Sequence, residues 1–409
     1  VSLAEPSVQA YWPSLRLADV ADIVSGVTKG RKLDGRAVVE VPYLSVANVQ
    51  AGFLNLSQIK SIPATADEIE RYRLASGDIV VTEGGDPDKL GRGCMWSGEL
   101  DPCIHQNHIF RIRVDRDRVI PQFLAAYLGT QPAKTYFLRA AKQTTGIASI
   151  NMTQLRGLPV PLPPIPEQRR IAAILDQTDA LRAKRRAALE KVGDLAPSLF
   201  LKMFGDPIAN SKKWTLSTFA SAGRVQLGRQ RAPKYQTGKF KRPYVRVANV
   251  FENRVNISDL LFMDFDDRDF ESYRLQHGDI LLNEGQSTEL VGRPAMWKSE
   301  LEDCCFQNTL VRFQPDRNQI TPEYSLALCL RYFRTGVFAK ISSKTSNVAH
   351  LGASRFARLP VPLPPLELQR TFAEHISGIE ELRANQDQSL AKLDALFASL
   401  QHRAFKGEL

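Results

Sequence analysis

Cysteine is scarce and never paired: Cys94, Cys103, Cys304, Cys305 and Cys329 contain no C-x-x-C spacing and are odd in number. That count fits reduced thiols rather than a disulfide framework. The six histidines are not spaced with the cysteines as ligands, which argues against a zinc site. No long apolar run and no signal peptide are present, so no membrane span is expected and the cytoplasm is the default location. Nucleotide-binding loops are missing too. There is no G-x-x-x-x-G-K-[ST], and the nearest dinucleotide-type stretch, Gly91-Arg92-Gly93, lacks its third glycine. Finally, acid is absent from a whole segment. Between Arg224 and Arg246 the chain carries Arg224, Arg229, Arg231, Lys234, Lys239, Lys241, Arg242 and Arg246 with no Asp or Glu. Tyr235, Phe240 and Tyr244 are interleaved with them. A solvated loop normally mixes signs, so this run points to a nucleic acid.

What is present is otherwise ordinary for a globular protein: 409 residues, 43% hydrophobic and 24% charged, with a formal charge of +10. This length leaves room for two or three domains with a sizeable core. The sequence pI of about 9.4 favours a polyanionic partner over an acidic small substrate.

An internal repeat organises the chain. PYLSVANV from Pro42 returns as PYVRVANV from Pro243, YRLASGDIVVTEGG from Tyr72 as YRLQHGDILLNEGQ from Tyr273, and GRGCMW from Gly91 as GRPAMW from Gly292. HQNHIFRIR from His105 matches FQNTLVRFQ from Phe306, and Gly26 corresponds to Gly228. Within each copy, Ile79 to Val81, Ile109 to Val114 and Ile280 to Leu282 read as strands, introduced by Gly77-Asp78 and Gly278-Asp279 turns. Pro121 to Gly129 and Pro322 to Tyr332 read as short helices. Thr144 to Asn151 and Thr345 to Gly352 read as polar loops. The fold class is therefore α+β, with one mixed domain ahead of each of two long helices.

The helices carry the clearest pattern. From Leu158 the chain runs LPVPLPPIPEQRRIAAILD, and Ile171, Ile174, Leu181, Val192, Leu195 and Leu199 then follow heptad spacing. A helix from Glu167 to Phe204 would be about 57 Å long at ~1.5 Å per residue, more than one compact domain needs. From Leu359 the chain repeats LPVPLPPLELQRTFAEHI, with Phe372, Ile379, Leu382, Leu393, Leu396 and Leu400 on a second seam. Gly378, Gln386 and Ser389 weaken that second seam. The resulting division is 1–158, a first helix at 159–205, a second domain at 206–359 and a second helix at 360–409.

No stretch supplies a convincing catalytic constellation. Asp78, Glu83 and the Asp86 to Lys89 segment imitate a nuclease carboxylate cluster, but no lysine follows Glu284 in the second copy. The repeated Glu83-Gly84 and Glu284-Gly285 pairs are more simply turn residues. Gln106-Asn107 and Gln307-Asn308 could read base edges, yet copies reading different sequences should differ where they touch bases. Divergent, polar and basic positions are the better candidates for DNA contact. In the first copy these are Lys29, Arg31, Lys32, Arg36, Lys89, Arg92, Lys142, Thr144, Thr145 and Asn151. In the second they are Arg229, Arg231, Lys234, Tyr235, Lys239, Lys241, Arg242, Arg293, Lys344 and Asn347. Lysine and arginine would hold phosphates, while amides, hydroxyls and some arginines would read bases.

The duplicated layout and the PLPP-x-x-EQ-R-I run at Pro161 to Pro164, Glu167, Gln168, Arg170 and Ile171 resemble the specificity subunit of type I restriction-modification enzymes. The echo at Pro362 to Pro365, Gln369 and Arg370 has Leu368 where the first copy has Glu167. The resemblance spans essentially the whole chain. It implies two target-recognition domains, each reading half of a bipartite site in double-stranded DNA and held apart by a pair of antiparallel coiled-coil helices with pseudo-two-fold symmetry. It also implies a subunit with no catalysis and no cofactor of its own. Such a subunit recruits two adenine methyltransferase subunits that use S-adenosylmethionine and two restriction subunits that use ATP and Mg. The repeat supports that geometry by itself, because a domain followed by a helix, used twice, faces a duplex as a dimer does. Two rival readings remain. A stand-alone DNA-modifying enzyme is disfavoured by the missing motifs, and a coiled-coil scaffold without a DNA role leaves the basic charge unexplained.

Overall fold

The computed structural model describes residues 12–33, 35–85, 90–144, 147–232, 237–345 and 348–409. Two compact units divide the chain, Val1–Arg186 with Gln388–Leu409 and Ala187–Asp387.

The first unit opens with β1 (Ser14–Arg16), β2 (Ala21–Ser25), β3 (Val39–Leu44), β4 (Lys60–Ala64), α1 (Ala66–Tyr72) and β5 (Ile79–Thr82). It continues through β6 (Gly84–Gly85), β7 (Gly93–Met95), β8 (Ile104–His105), β9 (Ile109–Val114), α2 (Pro121–Leu128) and α3 (Gln131–Ala140). Then come β10 (Lys142–Thr144), β11 (Ile147–Ser149), α4 (Met152–Arg156), β12 (Pro159–Pro161) and the long helix α5 (Ile165–Phe204). An antiparallel sheet in the order β2-β9-β5-β7 forms the centre. β5 is apolar on consecutive residues because both of its faces are covered. Ile79 and Val81 join the core beneath α2, α3 and α4, while Val80 joins Trp96, Cys94 and Leu44 on the other side. Gly77 takes φ +95° at the turn into this strand, a conformation glycine adopts without strain, and Asp78 closes the turn by accepting the Ala75 N–H at 2.7 Å. Smaller sheets, β4-β3-β8 and β10-β11-β6, flank the centre.

The second unit repeats the plan. Its strands are β13 (Thr215–Thr218), β14 (Gly223–Leu227) after α6 (Phe219–Ala222), β15 (Lys241–Val245), β16 (Val250–Phe251), β17 (Arg254–Val255) and β18 (Leu261–Asp264). α7 (Asp267–Tyr273) leads to β19 (Ile280–Asn283), β20 (Gly285–Gln286), β21 (Pro294–Met296), β22 (Cys305–Phe306) and β23 (Leu310–Pro315). α8 (Pro322–Arg334), α9 (Val337–Ile341), β24 (Ser343–Thr345), β25 (Val348–His350), α10 (Ala353–Ala357), β26 (Pro360–Leu363) and α11 (Leu366–Ala404) complete the chain. The central sheet is β14-β23-β19-β21, with Ile280 and Leu282 in one core and Leu281 in the other. The segments expected to be polar loops are hairpins in both units. β11 pairs with β6 and β25 with β20, so short polar sequences become strands because a ready sheet edge satisfies their backbone.

Each long helix starts from a buried amide. Gln168 has almost no exposed surface; its Oε1 accepts the Ile120 N–H at 2.9 Å, and its Nε2 donates to the carbonyls of Arg118 (3.0 Å) and Pro163 (2.9 Å). Gln369 does the same in the second unit, accepting the Thr321 N–H at 2.9 Å and donating to the carbonyls of Gln319 (3.1 Å) and Pro364 (2.9 Å). Beyond these anchors, aromatic clusters fasten the helices. In the first unit Ile171, Ala172 and Leu175 of α5 pack with Phe123 of α2 and Ala404 of α11. In the second, Phe200 and Phe204 of α5 pack on Tyr324 of α8 and on Phe372 of α11.

Within the first unit Arg182 of α5 stacks on Phe397 of α11 (4.4 Å) and reaches Asp394 at 2.6 Å. Leu181, Leu195, Leu382 and Leu396, which heptad counting places on the seam, are exposed. The buried positions of α5 step through Ile171, Leu175 and Thr178 to half-buried Arg182, so the apolar stripe shifts by one residue and an arginine stem covers what a leucine would. α11 runs unbroken through Gly378, and α5 accommodates Pro197. That proline forgoes one helical hydrogen bond at a cost of about 3 kcal/mol relative to alanine.

Because Gln168 satisfies three backbone groups with one side chain, Gln168→Leu strands all of them. We expect a loss on the order of 3 kcal/mol, read by native-state hydrogen exchange as faster opening of the Ile120 amide and its neighbours. Arg169→Ala, at the exposed next position, should leave exchange unchanged.

Candidate nucleic-acid interface

Antiparallel pairing gathers the divergent loops at one end of each central sheet. The end of β2, the end of β5 and the starts of β7 and β9 lie together in the first unit, as do the end of β14, the end of β19 and the starts of β21 and β23 in the second. Segments 26–38, 83–92 and 106–108 therefore leave from a common end, and so do 228–240, 284–293 and 307–309. The hairpins β10-β11 and β24-β25 dock there through β6 and β20.

Repeated residues build this end. A side chain at Gly26 would meet the His105 carbonyl oxygen at 1.9 Å, and one at Gly228 the Gln307 carbonyl oxygen at 2.1 Å, so only glycine lets the loop pass so close. His105 itself is buried and its pKa is lowered to about 4 by that burial, so it stays neutral while its Nδ1 lies 2.9 Å from the Ile109 carbonyl. Backbone groups of Gln106, Asn107, Gln307 and Asn308 tie the first loop to the sheet. Glu83 and Glu284 hold the hairpins: their carbonyls accept the N–H groups of Ile150 and Leu351, both at 2.8 Å. Their carboxylates face histidines that sequence reading missed, His108 (2.6 Å) and His350 (3.0 Å), which come from unmatched positions of the two copies. Asp78 is likewise engaged, by Arg113 at 2.7 Å. Among the described residues no group of His, Cys, Asp and Glu has the arrangement of a metal site.

The candidate contacts divide into several kinds. Lys29, Lys32 and Arg36 are exposed in the first unit, as are Arg231, Lys239, Lys241 and Lys344 in the second, and Lys344 lies near enough to Glu289 to interact with it electrostatically. Arg31 is instead clamped on Glu68, with Nε 2.5 Å from Oε1 and Nη2 donating to the Pro63 carbonyl at 2.9 Å. That pairing holds the Glu68 pKa at about 2. Arg229 pairs with Asp269, the counterpart of Glu68, from a different loop position. Arg242 lies over Phe270 (4.5 Å) and 3.6 Å from Asp303. Acids distant in sequence thus neutralise part of the run that carries none of its own. Arg92 donates to Gln50 Oε1 at 3.2 Å, whereas Arg293 lies over Phe251. Asn151 caps α4 by accepting the Gln154 N–H at 2.9 Å. Lys142 and Thr144 belong to β10, while Lys89, Thr145, Lys234, Tyr235 and Asn347 lie outside the described residues.

The sequence profile described as "Type I restriction modification DNA specificity domain" matches residues 10–191 and 222–395. The chain belongs to this family. Its two matched segments correspond to the two copies of the repeat, and each contains one complete loop-bearing sheet end. A Methanocaldococcus jannaschii protein assigned as the MjaX type I restriction enzyme specificity subunit is 24% identical over 396 residues, 91% of this chain and 87% of the relative. The EcoKI specificity subunit of Escherichia coli K12 is 25% identical over 171 residues, covering 40% of this chain and 36% of its own length. In fold, the chain is similar to one solved in work on complex assembly and conformational transition of the type I restriction-modification system. That likeness has a TM-score of 0.62 at 17% identity and covers 99% of this chain and 100% of the other. The type I S subunit from M. genitalium gives a TM-score of 0.50 at 14% identity, over 99% and 98% of the two chains. The specificity domains therefore recognise DNA as members of this family. No helix among the described residues is long and apolar enough to cross a membrane.

Two measurements separate scaffold cations from contact cations. Arg231, Lys239 and Lys241 changed together to alanine should weaken DNA binding and flatten its log-log salt dependence by about 0.9 per lost phosphate contact. Arg31→Ala should leave that slope unchanged and alter acid stability instead. Glu68 is depressed in the folded state, so the pair stabilises above the ordinary value of 4.5 and this contribution fades as pH falls through about 2. The difference in unfolding midpoint between wild type and Arg31→Ala should shrink across that window, and carboxylate NMR should find Glu68 titrating higher in the variant than in wild type, the hydrogen bonds from Thr65 still holding part of the shift.

Proposed function

We propose that this chain is the non-catalytic reader of a type I restriction-modification complex, each specificity domain reading one half of a bipartite site in double-stranded DNA. The observation that carries the proposal is duplication with divergence. Two copies share their scaffold residues, yet their loops, gathered at one sheet end per copy, differ in sequence. α5 and α11, of 40 and 39 residues or about 60 Å each at ~1.5 Å per residue, act as an antiparallel coiled-coil spacer that places the domains with pseudo-two-fold symmetry. The chain brings two adenine methyltransferase subunits, which use S-adenosylmethionine, and two restriction subunits, which use ATP and Mg, to its site in the cytoplasm. The relatives' names as type I specificity subunits support a reader within such a complex, and the lack of nucleotide-binding motifs in the sequence fits leaving catalysis to partner subunits.

The purified chain alone should incorporate no methyl groups, while the chain with its methyltransferase partner should methylate adenine; turnover by the chain alone would sink the reading. Independent half-sites have a sharper test. Exchanging Trp214 to Arg358 for the matching domain of a relative should change one half of the methylated sequence and keep the other. Adding one heptad after Arg186 and one after Asp387 lengthens the spacer by about 10 Å. The gap should then widen by roughly three base pairs at ~3.4 Å each, with both half-sites unchanged. Methylome sequencing reads both outcomes, and a heptad variant that keeps the original gap would refute the spacer role.

A further inference from the structure

The arginine just before β7 and β21 is common to both copies, but its surroundings are not. In the first unit Arg92 directs its edge inward, Nη1 donating to Gln50 Oε1 at 3.2 Å and Nη2 to the Val46 carbonyl at 3.4 Å. In the second unit Phe251 stands where Gln50 does and Arg254 where Phe53 does. The Arg293 guanidinium carbon lies 5.0 Å from the centre of the Phe251 ring, which Arg254 shares at 5.1 Å. The Nε of Arg293 is buried without a hydrogen-bond partner, and the Glu252 carboxylate acts on the guanidinium only at longer range, with no salt bridge between them. The neighbouring carboxylate, Glu252, is held by Arg334 at 2.6 Å. Burial lowers the Arg293 pKa from its ordinary value, the sign of a cation removed from water without a full counter-charge.

The backbone of this arginine is fixed. Asn283 at the end of β19 donates to the Arg293 carbonyl at 3.2 Å and accepts the Gly292 N–H at 2.8 Å. Two residues further on, Gly285 pairs with His350 of the hairpin, so Arg293 sits at the same sheet end as the other divergent loops. A guanidinium that rests its face on an aromatic ring keeps its in-plane N–H groups available, and the ring removes much of the rotamer freedom that binding would otherwise cost. A planar, pre-set fork is what bidentate contact with guanine O6 and N7 requires, whereas phosphate contact needs only an exposed cation such as Arg231 or Lys241.

We infer that Arg293, seated on Phe251 beside Arg254, reads a guanine in the half-site taken by the second unit, and that its counterpart Arg92 reads no base. This rests on the DNA-reading function proposed above. The experiment compares methylomes of cells carrying the full chain, with its methyltransferase, as wild type, Arg293→Ala, the double variant Phe251→Gln/Arg254→Phe, and Arg92→Ala. Arg293→Ala should make one G·C position of one half-site degenerate, lowering discrimination there by roughly 5- to 150-fold, with the other half-site intact. The double variant reproduces the first unit's surroundings and keeps the arginine; it should lose the same position, and it decides the matter if Arg293→Ala fails to fold. Arg92→Ala should leave both half-sites as they are. A variant that methylates the original sequence at a uniformly lower rate, with a salt slope reduced by about 0.9, would assign Arg293 to phosphate and overturn the inference. So would loss of an A·T position, or a changed half-site in Arg92→Ala. Failure of the underlying reading looks different, because wild type itself would then show no sequence-dependent methylation.

Discussion

One primary amide with almost no exposed surface, used once per copy, governs how this protein is assembled. A helix of 40 residues cannot be covered by the domain it leaves, so its exit direction must be set by a few contacts at its first turn. Gln168 and Gln369 meet that demand by joining the helix start, the proline lead-in and the loop before α2 or α8 through three hydrogen bonds each. Prolines at 163, 164 and 364, 365 hold the lead-in extended and limit the alternatives. Buried amides fully satisfied in this way favour a single geometry, since any other leaves polar groups unpaired away from water.

Charge is divided between holding the fold and facing outward. Of the cations near the sheet ends, Arg31, Arg229 and Arg242 are engaged by Glu68, Asp269 and Asp303. These carboxylates belong to α1, to α7 and to the segment before β22, and they lie dozens of residues from their partners. Lys29, Lys32, Arg36, Arg231, Lys239, Lys241 and Lys344 are left exposed, although Lys241 stands opposite Asp264 across β15 and β18 and Lys344 interacts electrostatically with Glu289. A net charge of +10 therefore understates how local the available positive charge is.

Duplication also shows which features the scaffold requires. Gly26 and Gly228, Asp78 and Asp279, and Glu83 and Glu284 recur because backbone approach, turn closure and hairpin docking are the same task in each unit. Their partners drift. Glu83 meets His108 while Glu284 meets His350, and Glu68 clamps Arg31 while Asp269 clamps Arg229 from another loop position. A carboxylate can keep its role as long as some cation or imidazole arrives within reach, so the loops are free to change around it.

The sequence by itself determined the duplication, the mixed domains, the two long helices and the family, because these rest on periodicity and on motifs contiguous in the chain. Strands at Ile79 to Val81 and Ile280 to Leu282 were legible because burial on two faces demands unbroken apolar residues. Only the tertiary structure decided the rest. It turned short polar segments into hairpins by supplying β6 and β20 as edges, which no local propensity foretells. It moved the buried stripe of α5 off Leu181, because Arg182 finds both Asp394 and Phe397 across the helix pair. It sorted the basic residues into clamped and exposed, and gave Arg92 and Arg293 opposite surroundings, because pairing energy depends on which side chains meet in space rather than on which are near in sequence.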